Sequence, residues 1–389
     1  MKIGILTFWW SRDNYGQLLQ CYALQKYLRD AGHDAYLIRY NPGKDASGSP
    51  SLHRYLKALN PVLFYRYISR KISQKKALLY NKAHDRHFDD FRNKYIVSTK
   101  KIYFSYDELK ADPPEADVYV VGSDQVWNVG EAVNGYVNSF FLNFGSAGTK
   151  RISYAASFGN CKENYDYPPV INLLKKLDFI TCREKTGIEI CKKNGLNAEL
   201  VCDPTLLLPS NIWHEISVFP NKTNKKYIFV YVLNNTCSFS YKKISTWAKK
   251  HNLAVVYVTG NTGYTKCNFY DRKAELMFPT INEWLGYIEK AEYVVTNSFH
   301  CAVFSLMFGK RIGVVPLTKS LSKSNSRFET LFDSLSVHLA KIEDNNYDIL
   351  LNVKPGCVKY DFVEKSKDLL NKMLNGETDS GENKICLTL

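Results

Sequence analysis

Short, continuous apolar runs alternate with segments of helical periodicity along most of this chain. The first run, residues 3–8, is followed by apolar positions at helical spacing over 17–28 and by a second run at 36–40. A short apolar run without alternation indicates a strand that is covered on both faces. A strand, a helix and a second strand in this order predict a β-α-β unit within a parallel sheet. The alternation therefore points to an open α/β fold.

The same alternation continues through the rest of the sequence. Further strands are predicted at residues 117–123, 152–159, 179–183, 199–202, 227–233, 254–259, 292–296 and 311–315. Helical periodicity marks residues 184–194, 239–250, 282–289, 301–308 and 360–374. A chain of 389 residues is longer than one core of ordinary size needs. We therefore predict two Rossmann-like α/β domains that face a cleft, a GT-B-like arrangement, with a C-terminal helix that packs back on the first domain.

The polar stretch at 220–226 is the best candidate for a linker between the domains. The predicted units are an N-terminal α/β domain at 1–219 with a basic helical insertion at 51–101, a C-terminal α/β domain at 220–345, a helical segment at 346–375 and a disordered tail at 376–389.

The formal net charge of +14 is concentrated in the insertion. Residues 51–101 contain 13 Lys or Arg against three Asp, which gives +10, with aromatic residues between the cations. Such a stretch suits an anionic membrane face, a nucleic acid or simply a solvated helical face. No known nucleic-acid-binding motif is present, so we predict no nucleic-acid partner.

Two further observations bear on the compartment. No run of eighteen apolar residues occurs, so no membrane-spanning helix is predicted. The ten cysteines include no Cys-x-x-Cys pair, which favours reduced thiols over disulfides or a zinc site. We predict a cytoplasmic protein without a bound metal.

Ligands of open α/β sheets bind beyond the carboxyl ends of the strands, so the residues that follow the predicted strands are the functional candidates. These candidates are Asn14, Tyr15, Gly16, Gln17, Gly122, Ser123, Asp124, Ser157, Arg183, Glu184, Asp203, Asn297, Ser298 and His300.

His300 and Arg183 carry the clearest chemistry among them. His300 is predicted at a turn between a strand and a helix that starts at Cys301, where backbone N–H groups favour an anion and an imidazole can exchange a proton. Arg183 suits bidentate recognition of a carboxylate or phosphate. The structural alternatives are an Asn or Ser helix cap with a packed histidine, and a surface pair between Arg183 and Glu184.

Seven short motifs include these strand ends. They lie at residues 14–25, 121–128, 153–159, 182–184, 203–205, 296–300 and 325–328. Together and in this order they resemble the polysaccharide pyruvyl transferase family, and the Gly-Ser-Asp-Gln-Val-Trp-Asn segment at 122–128 is the most specific of them.

The resemblance implies a GT-B-like fold and transfer of a pyruvyl group from phosphoenolpyruvate to two hydroxyls of a sugar in a surface polysaccharide or its lipid-linked precursor. The product is a cyclic ketal, phosphate is released, and no cofactor or metal is needed. By this resemblance Arg183 and His300 belong to the donor site. The second domain would bind the donor, and residues 14–17 of the first domain would face the acceptor. A polyprenyl-diphosphate-linked acceptor would bring the basic insertion to the inner face of the membrane.

One position departs from the family pattern. Ser298 stands where many members have an arginine, so Arg327 or Lys319 from the next loop is expected to supply the missing cation. Two other functions stay open: a GT-B glycosyltransferase that uses a nucleotide sugar, and an inactive relative that serves as a partner in the pathway.

Overall fold

The structure of the chain is a computed structural model. It describes residues 1–41, 72, 75, 79–80, 82–128, 137–159, 161, 167–220, 225–233, 239–260, 276–318, 322, 324–356 and 358–376. Most of the basic insertion, part of the predicted linker and the predicted disordered tail lie outside the described residues.

The first domain is built on a parallel sheet with the strand order β2-β1-β3-β4. Its strands are β1 Lys2–Leu6, β2 Asp34–Leu37, β3 Val118–Val121 and β4 Lys150–Ser153, and single bridges extend the sheet to a parallel pair, β5 Thr181–Cys182 and β6 Glu199–Leu200. The predicted strands 117–123 and 152–159 were too long at their carboxyl ends. Asp124 (φ 83°) and Ala155 (φ 56°) take left-handed conformations, which break the extended backbone.

Helices surround this sheet. They are α1 Tyr15–Asp30, α2 Phe88–Tyr95, α3 Tyr106–Ala111, α4 Val137–Phe140, α5 Pro168–Leu174, α6 Lys185–Lys193 and α7 Ser210–Ile216, with a short 3₁₀ helix at Pro204–Leu206. Helix α1 starts where the side chain of Asn14 accepts a hydrogen bond from the N–H of Gln17, as an N-cap residue does.

The second domain contains a five-stranded parallel sheet with the order β11-β10-β7-β8-β9. Its strands are β7 Tyr227–Val232, β8 Ala254–Thr259, β9 Leu276–Met277, β10 Tyr293–Thr296 and β11 Arg311–Val314. Its helices are α8 Tyr241–Lys250, α9 Ile281–Lys290, α10 Phe299–Met307, α11 Ser326–Ser334, α12 Ile349–Asn352 and α13 Asp361–Asn375. Strand β9 was not predicted, because two residues are too few to show a pattern. The predicted α/β class is confirmed.

The final helix, α13, returns to the first domain as predicted. Its Ser366 hydroxyl accepts a hydrogen bond from the N–H of Cys202 at 3.0 Å. At its carboxyl end the Lys150 ammonium donates to the Leu374 carbonyl at 2.9 Å, which places a cation where the helix dipole is negative. None of the described helices is both long enough and apolar enough to cross a bilayer.

Tyr15 joins the two domains through a buried contact. Its ring stacks on that of Trp284 with centroids 4.9 Å apart, and its hydroxyl donates to the carbonyl of Pro279 at 2.7 Å. The buried guanidinium of Arg86 donates to the same hydroxyl at 3.2 Å and to the carbonyl of Thr259 at 2.7 Å. These contacts fix the first turn of α1 against the second domain.

Tyr15→Phe should lower the melting temperature, because the buried carbonyl of Pro279 and one donor of Arg86 lose their partner. The expected loss is about 1–2 kcal/mol of unfolding free energy. Differential scanning calorimetry measures it, with Tyr360→Phe as the matched control, since Tyr360 is 41% exposed. Equal stability of the two variants would contradict this role of the hydroxyl.

Candidate functional site

The strand order reverses direction once in each sheet, and the candidate residues cluster at these two points. In the first domain the reversal lies between β1 and β3, where the Thr7 hydroxyl donates to the carbonyl of Ser123 at 2.8 Å. In the second it lies between β7 and β10, where the Asn297 side chain accepts from the N–H of Leu233 at 2.7 Å. Such crevices are the usual ligand sites of open α/β sheets.

Ser298 determines how His300 enters the site. Its side chain accepts from the N–H of Cys301 at 3.4 Å, so it caps α10, and its own N–H donates to the Thr296 hydroxyl at 2.9 Å. The prediction that this helix begins at Cys301 was therefore wrong, because the cap shifts its start to Phe299. His300 lies inside the first helical turn and not in the turn that precedes it.

The imidazole of His300 packs directly on Gly16 of the other domain. A Cβ atom added at Gly16 would lie 2.1 Å from Nδ1 and 2.3 Å from Cγ of the ring, so no side chain fits at this position. The first turns of α1 and α10 therefore meet at the imidazole, and their unpaired N–H groups favour an anion beside it.

Asp203 is the centre of the hydrogen-bonding network around His300. Its Oδ2 accepts from the Ser123 hydroxyl at 2.8 Å and from Arg183 Nη1 at 3.2 Å, and it lies 3.4 Å from His300 Nε2. Its Oδ1 accepts from the hydroxyl and the N–H of Thr205 at 2.7 and 3.1 Å. The carboxylate is fully buried, and it joins the predicted residues Arg183, Ser123 and His300 into one cluster.

Arg183 is buried among carboxylates. Besides Asp203, the carboxylates of Glu184 and Asp124 lie 3.5 and 3.7 Å from its guanidinium, which is 4.6 Å from the ring centroid of Phe299. Burial disfavours the charge, but the three carboxylates outweigh it and raise the pKa of Arg183 above its usual value. The alternative of a surface pair with Glu184 is thus excluded, because both side chains are buried.

The same cluster changes the acidities of the neighbouring groups. Burial tends to raise the pKa of Asp203, yet His300 and Arg183 hold it well below the usual range. Burial raises the pKa of Glu184. Burial, and then the charge of Arg183, lower the pKa of Arg327 to about 10, and Arg327 Nε has no hydrogen-bond partner among the described residues. The charge of Arg327 therefore interacts with those of Arg183, Glu184 and Asp124.

Other predicted residues have local structural contacts. Asn14 caps α1, and the Gln17 side chain accepts from the N–H of Ser11 at 2.8 Å. Ser157 is buried and its hydroxyl accepts from the N–H of Gly159 at 3.1 Å, while Tyr15 lies in the domain contact. The remaining predicted glycine, Gly122, lies so close to the Thr7 side chain that an added Cβ would be 3.1 Å from it. Lys319 lies outside the described residues.

Two residues that complete the cluster, Asp203 and Glu184, were strand-end candidates for which the sequence indicated no role in the site. Asp203 follows the strand predicted at 199–202, and only its burial and its contacts show its central position. Within the described ranges, no group of three or more His, Cys, Asp or Glu side chains is placed to hold a metal ion. The predicted absence of a metal or cofactor stays a prediction.

A cavity of about 580 Å³ opens between the domains beside α11. The first domain lines it with Thr186 and Lys193, and the second with Ser326 and Lys341 among others. The hydroxyls of Thr186 and Ser326 lie 3.2 Å apart across the domain boundary. Arg327, Arg183, Asp203 and His300 are not among its lining residues, so the cavity is separate from the cluster around Asp203.

Solved structures support the fold. The UDP-GlcNAc 2-epimerase of Methanocaldococcus jannaschii in complex with UDP-GlcNAc and UDP superposes with a TM-score of 0.55 at 12% identity, covering 97% of this chain and 100% of that one. A putative UDP-N-acetylglucosamine 2-epimerase from Listeria monocytogenes gives 0.50 at 11% identity, with 99% and 100% covered. At such identities the likeness shows the GT-B-type fold alone.

The sequence itself gives the family. No curated protein matches the chain closely enough to count as a relative. The model of the polysaccharide pyruvyl transferase family, however, matches residues 14–315. This range contains the Arg183, Asp203 and His300 cluster and covers most of the chain, and the chain therefore belongs to the polysaccharide pyruvyl transferase family.

Proposed function

We propose that this enzyme transfers the pyruvyl group of phosphoenolpyruvate to two hydroxyls of a sugar in a surface polysaccharide or its lipid-linked precursor, with release of phosphate. The observation that carries the proposal is the convergence of a histidine, a buried arginine and two helix N-termini from both domains at one point. Phosphoenolpyruvate carries a carboxylate and a phosphate, and both need N–H donors of this kind.

Arg327 is the cation that we assign to the donor in place of the arginine missing at Ser298. Arg183 already faces three carboxylates, whereas Arg327 Nε has no partner among the described residues. A buried, incompletely paired guanidinium gains more from an added anion than a paired one. Ser298 instead caps α10, so its replacement of the arginine leaves the helix start intact.

The reaction needs proton transfer at carbon. His300 protonates the methylene carbon of the donor, which gives a methyl group and an oxocarbenium-like centre at the adjacent carbon. One sugar hydroxyl attacks this centre, phosphate leaves, and the second hydroxyl closes the ketal. The two sugar hydroxyls each lose a proton. One of these protons returns His300 to its protonated form, and the other leaves with the phosphate.

The cavity beside α11 is the place that we assign to the acceptor sugar. Its volume of about 580 Å³ is within the range of small-molecule pockets. Its lining contains hydroxyl, amide and charged side chains, among them the Lys341–Glu329 pair at 2.8 Å, and these groups can hydrogen-bond to the hydroxyls of a sugar. The earlier assignment of the acceptor to residues 14–17 stays a prediction, although Asn14, Tyr15 and Gln17 are each engaged in local contacts.

We extend the proposal to a peripheral membrane contact through residues 51–101, whose net charge of +10 suits the anionic inner face.

The purified protein should release phosphate from phosphoenolpyruvate only when a sugar acceptor is added. The assay offers a panel of galactosides and N-acetylhexosaminides, with and without UDP-sugars. His300→Asn should lower kcat by about 10²–10⁴-fold, because the proton donor is lost. His87→Asn, a change at a surface histidine, is the control. Release of UDP instead of phosphate would support the glycosyltransferase, and no turnover with any acceptor would support the inactive relative.

Arg327→Met should raise the KM for phosphoenolpyruvate about tenfold or more, because a charge-assisted hydrogen bond to the donor is lost. Initial rates at saturating acceptor measure it. Arg29→Met is the control, since Arg29 forms an exposed pair with Asp34. A KM equal to that of the control would remove Arg327 from the donor site.

Replacement of Lys71, Lys75 and Lys76 by Gln should reduce co-sedimentation with phosphatidylserine vesicles, because each lysine near an anionic surface contributes about 1 kcal/mol. The matched control replaces the exposed Lys243, Lys249 and Lys250 of α8. Binding that persists in the first variant would argue against a membrane contact through these lysines.

A further inference from the structure

We infer that Asp203 is a positioning residue for His300: its carboxylate, held by the first domain, orients the imidazole of the second domain and stabilises its protonated form. The role of His300 as proton donor rests on the proposed function, but the Asp203–His300 pair itself is measurable without turnover.

The first argument is that the carboxylate cannot turn away from the ring. Its Oδ1 is held by two hydrogen bonds from Thr205, and its Oδ2 by the Ser123 hydroxyl and Arg183. The residue begins the 3₁₀ helix at Pro204–Leu206, so its backbone is fixed as well. Oδ2 is thus held 3.4 Å from His300 Nε2 by its own domain.

The second argument is that this carboxylate is the ion-pair partner of a buried nitrogen. The side chain of His300 is 8% exposed, and Nε2 has no hydrogen-bond partner among the described residues. Gly16 of α1 and the ring of Phe299 also contact the imidazole, and neither is charged, while Arg183 pairs with the same Asp203 oxygen at 3.2 Å. An anion at this distance favours imidazolium over imidazole.

The third argument concerns the two ring nitrogens. With Nε2 directed at Asp203, Nδ1 is directed at Gly16 in the first turn of α1. Gly16 faces Nδ1 without a side chain, and a Cβ there would lie 2.1 Å from it. Asp203 therefore fixes which ring nitrogen faces the first turn of α1 and which faces the carboxylate.

The experiment is a histidine NMR titration of the full-length protein labelled at ring carbons, with the His300 signal assigned from its absence in His300→Asn. Asp203→Asn should move the midpoint of the His300 titration to lower pH, because the carboxylate 3.4 Å from Nε2 loses its charge. The matched control is Asp124→Asn, which removes a carboxylate 3.7 Å from the same Arg183. Asparagine tolerates the left-handed backbone conformation of position 124. This control should leave the midpoint of the His300 titration nearly unchanged.

Kinetics give a second readout. In Asp203→Asn the kcat should fall about 10²-fold, while the KM for phosphoenolpyruvate should not rise, because removal of a negative charge makes the donor site more positive. A midpoint equal to that of wild type would overturn the inference, even if the variant melts earlier. If the midpoint moves in Asp203→Asn but the wild-type protein releases no phosphate, the Asp203–His300 pair stands and the proposed reaction is overturned.

If Asp203→Asn does not fold because Arg183 is left without its counter-charge, the comparison is made in the Arg183→Met background. In that background no buried arginine is left that needs Asp203 as its counter-charge. Asp203→Asn should again lower the midpoint of the His300 titration relative to Arg183→Met alone. An unchanged midpoint in that pair would likewise overturn the inference.

Discussion

The buried carboxylate of Asp203 meets both domains and the two cations that define the site. A carboxylate without solvent is tolerated only when charges and hydrogen bonds replace its hydration, and here Ser123, Thr205, Arg183 and His300 supply them. Because three of these partners come from the first domain and one from the second, the network holds only while the domains keep this arrangement. Removal of Arg183 alone would leave the buried carboxylate of Asp203 without its ion-pair partner, which costs about 3–5 kcal/mol.

The contact between the domains is consistent with this dependence. Tyr15 of α1 stacks on Trp284 of α9, and the same helix presents Gly16 to His300 one residue later. The first turn of α1 therefore provides both the aromatic contact with Trp284 and the surface on which the imidazole of His300 packs. The polar residues of that turn, Asn14 and Gln17, stabilise the turn itself. The precision of the site thus depends on the packing of α1 more than on the loops around it.

Sequence patterns predicted the fold well because buried parallel strands are short apolar runs, and the β-α-β order then determines the sheet. They also brought Arg183, Ser123 and His300 to strand ends that the structure joins. They could not rank these ends: Asp203 follows a strand as Arg183 does, and only its burial and its contacts distinguish it. The role of Tyr15 was equally hidden, because its partners at Pro279 and Trp284 are more than 260 residues away along the chain. Strand ends were misjudged where Asp124 and Ala155 turn left-handed, since neither residue type marks such a turn reliably.

The absence of a side chain at Gly16 has a consequence for the exchange of domains between members of this family. The imidazole is seated on the backbone of the opposite domain, so a second domain taken from a relative would bring its histidine to a foreign helix start. A hybrid protein would need to inherit the glycine and the carboxylate at 203 along with the histidine. The site would therefore be transferred only with the interface between the two domains, since neither domain contains all of its residues.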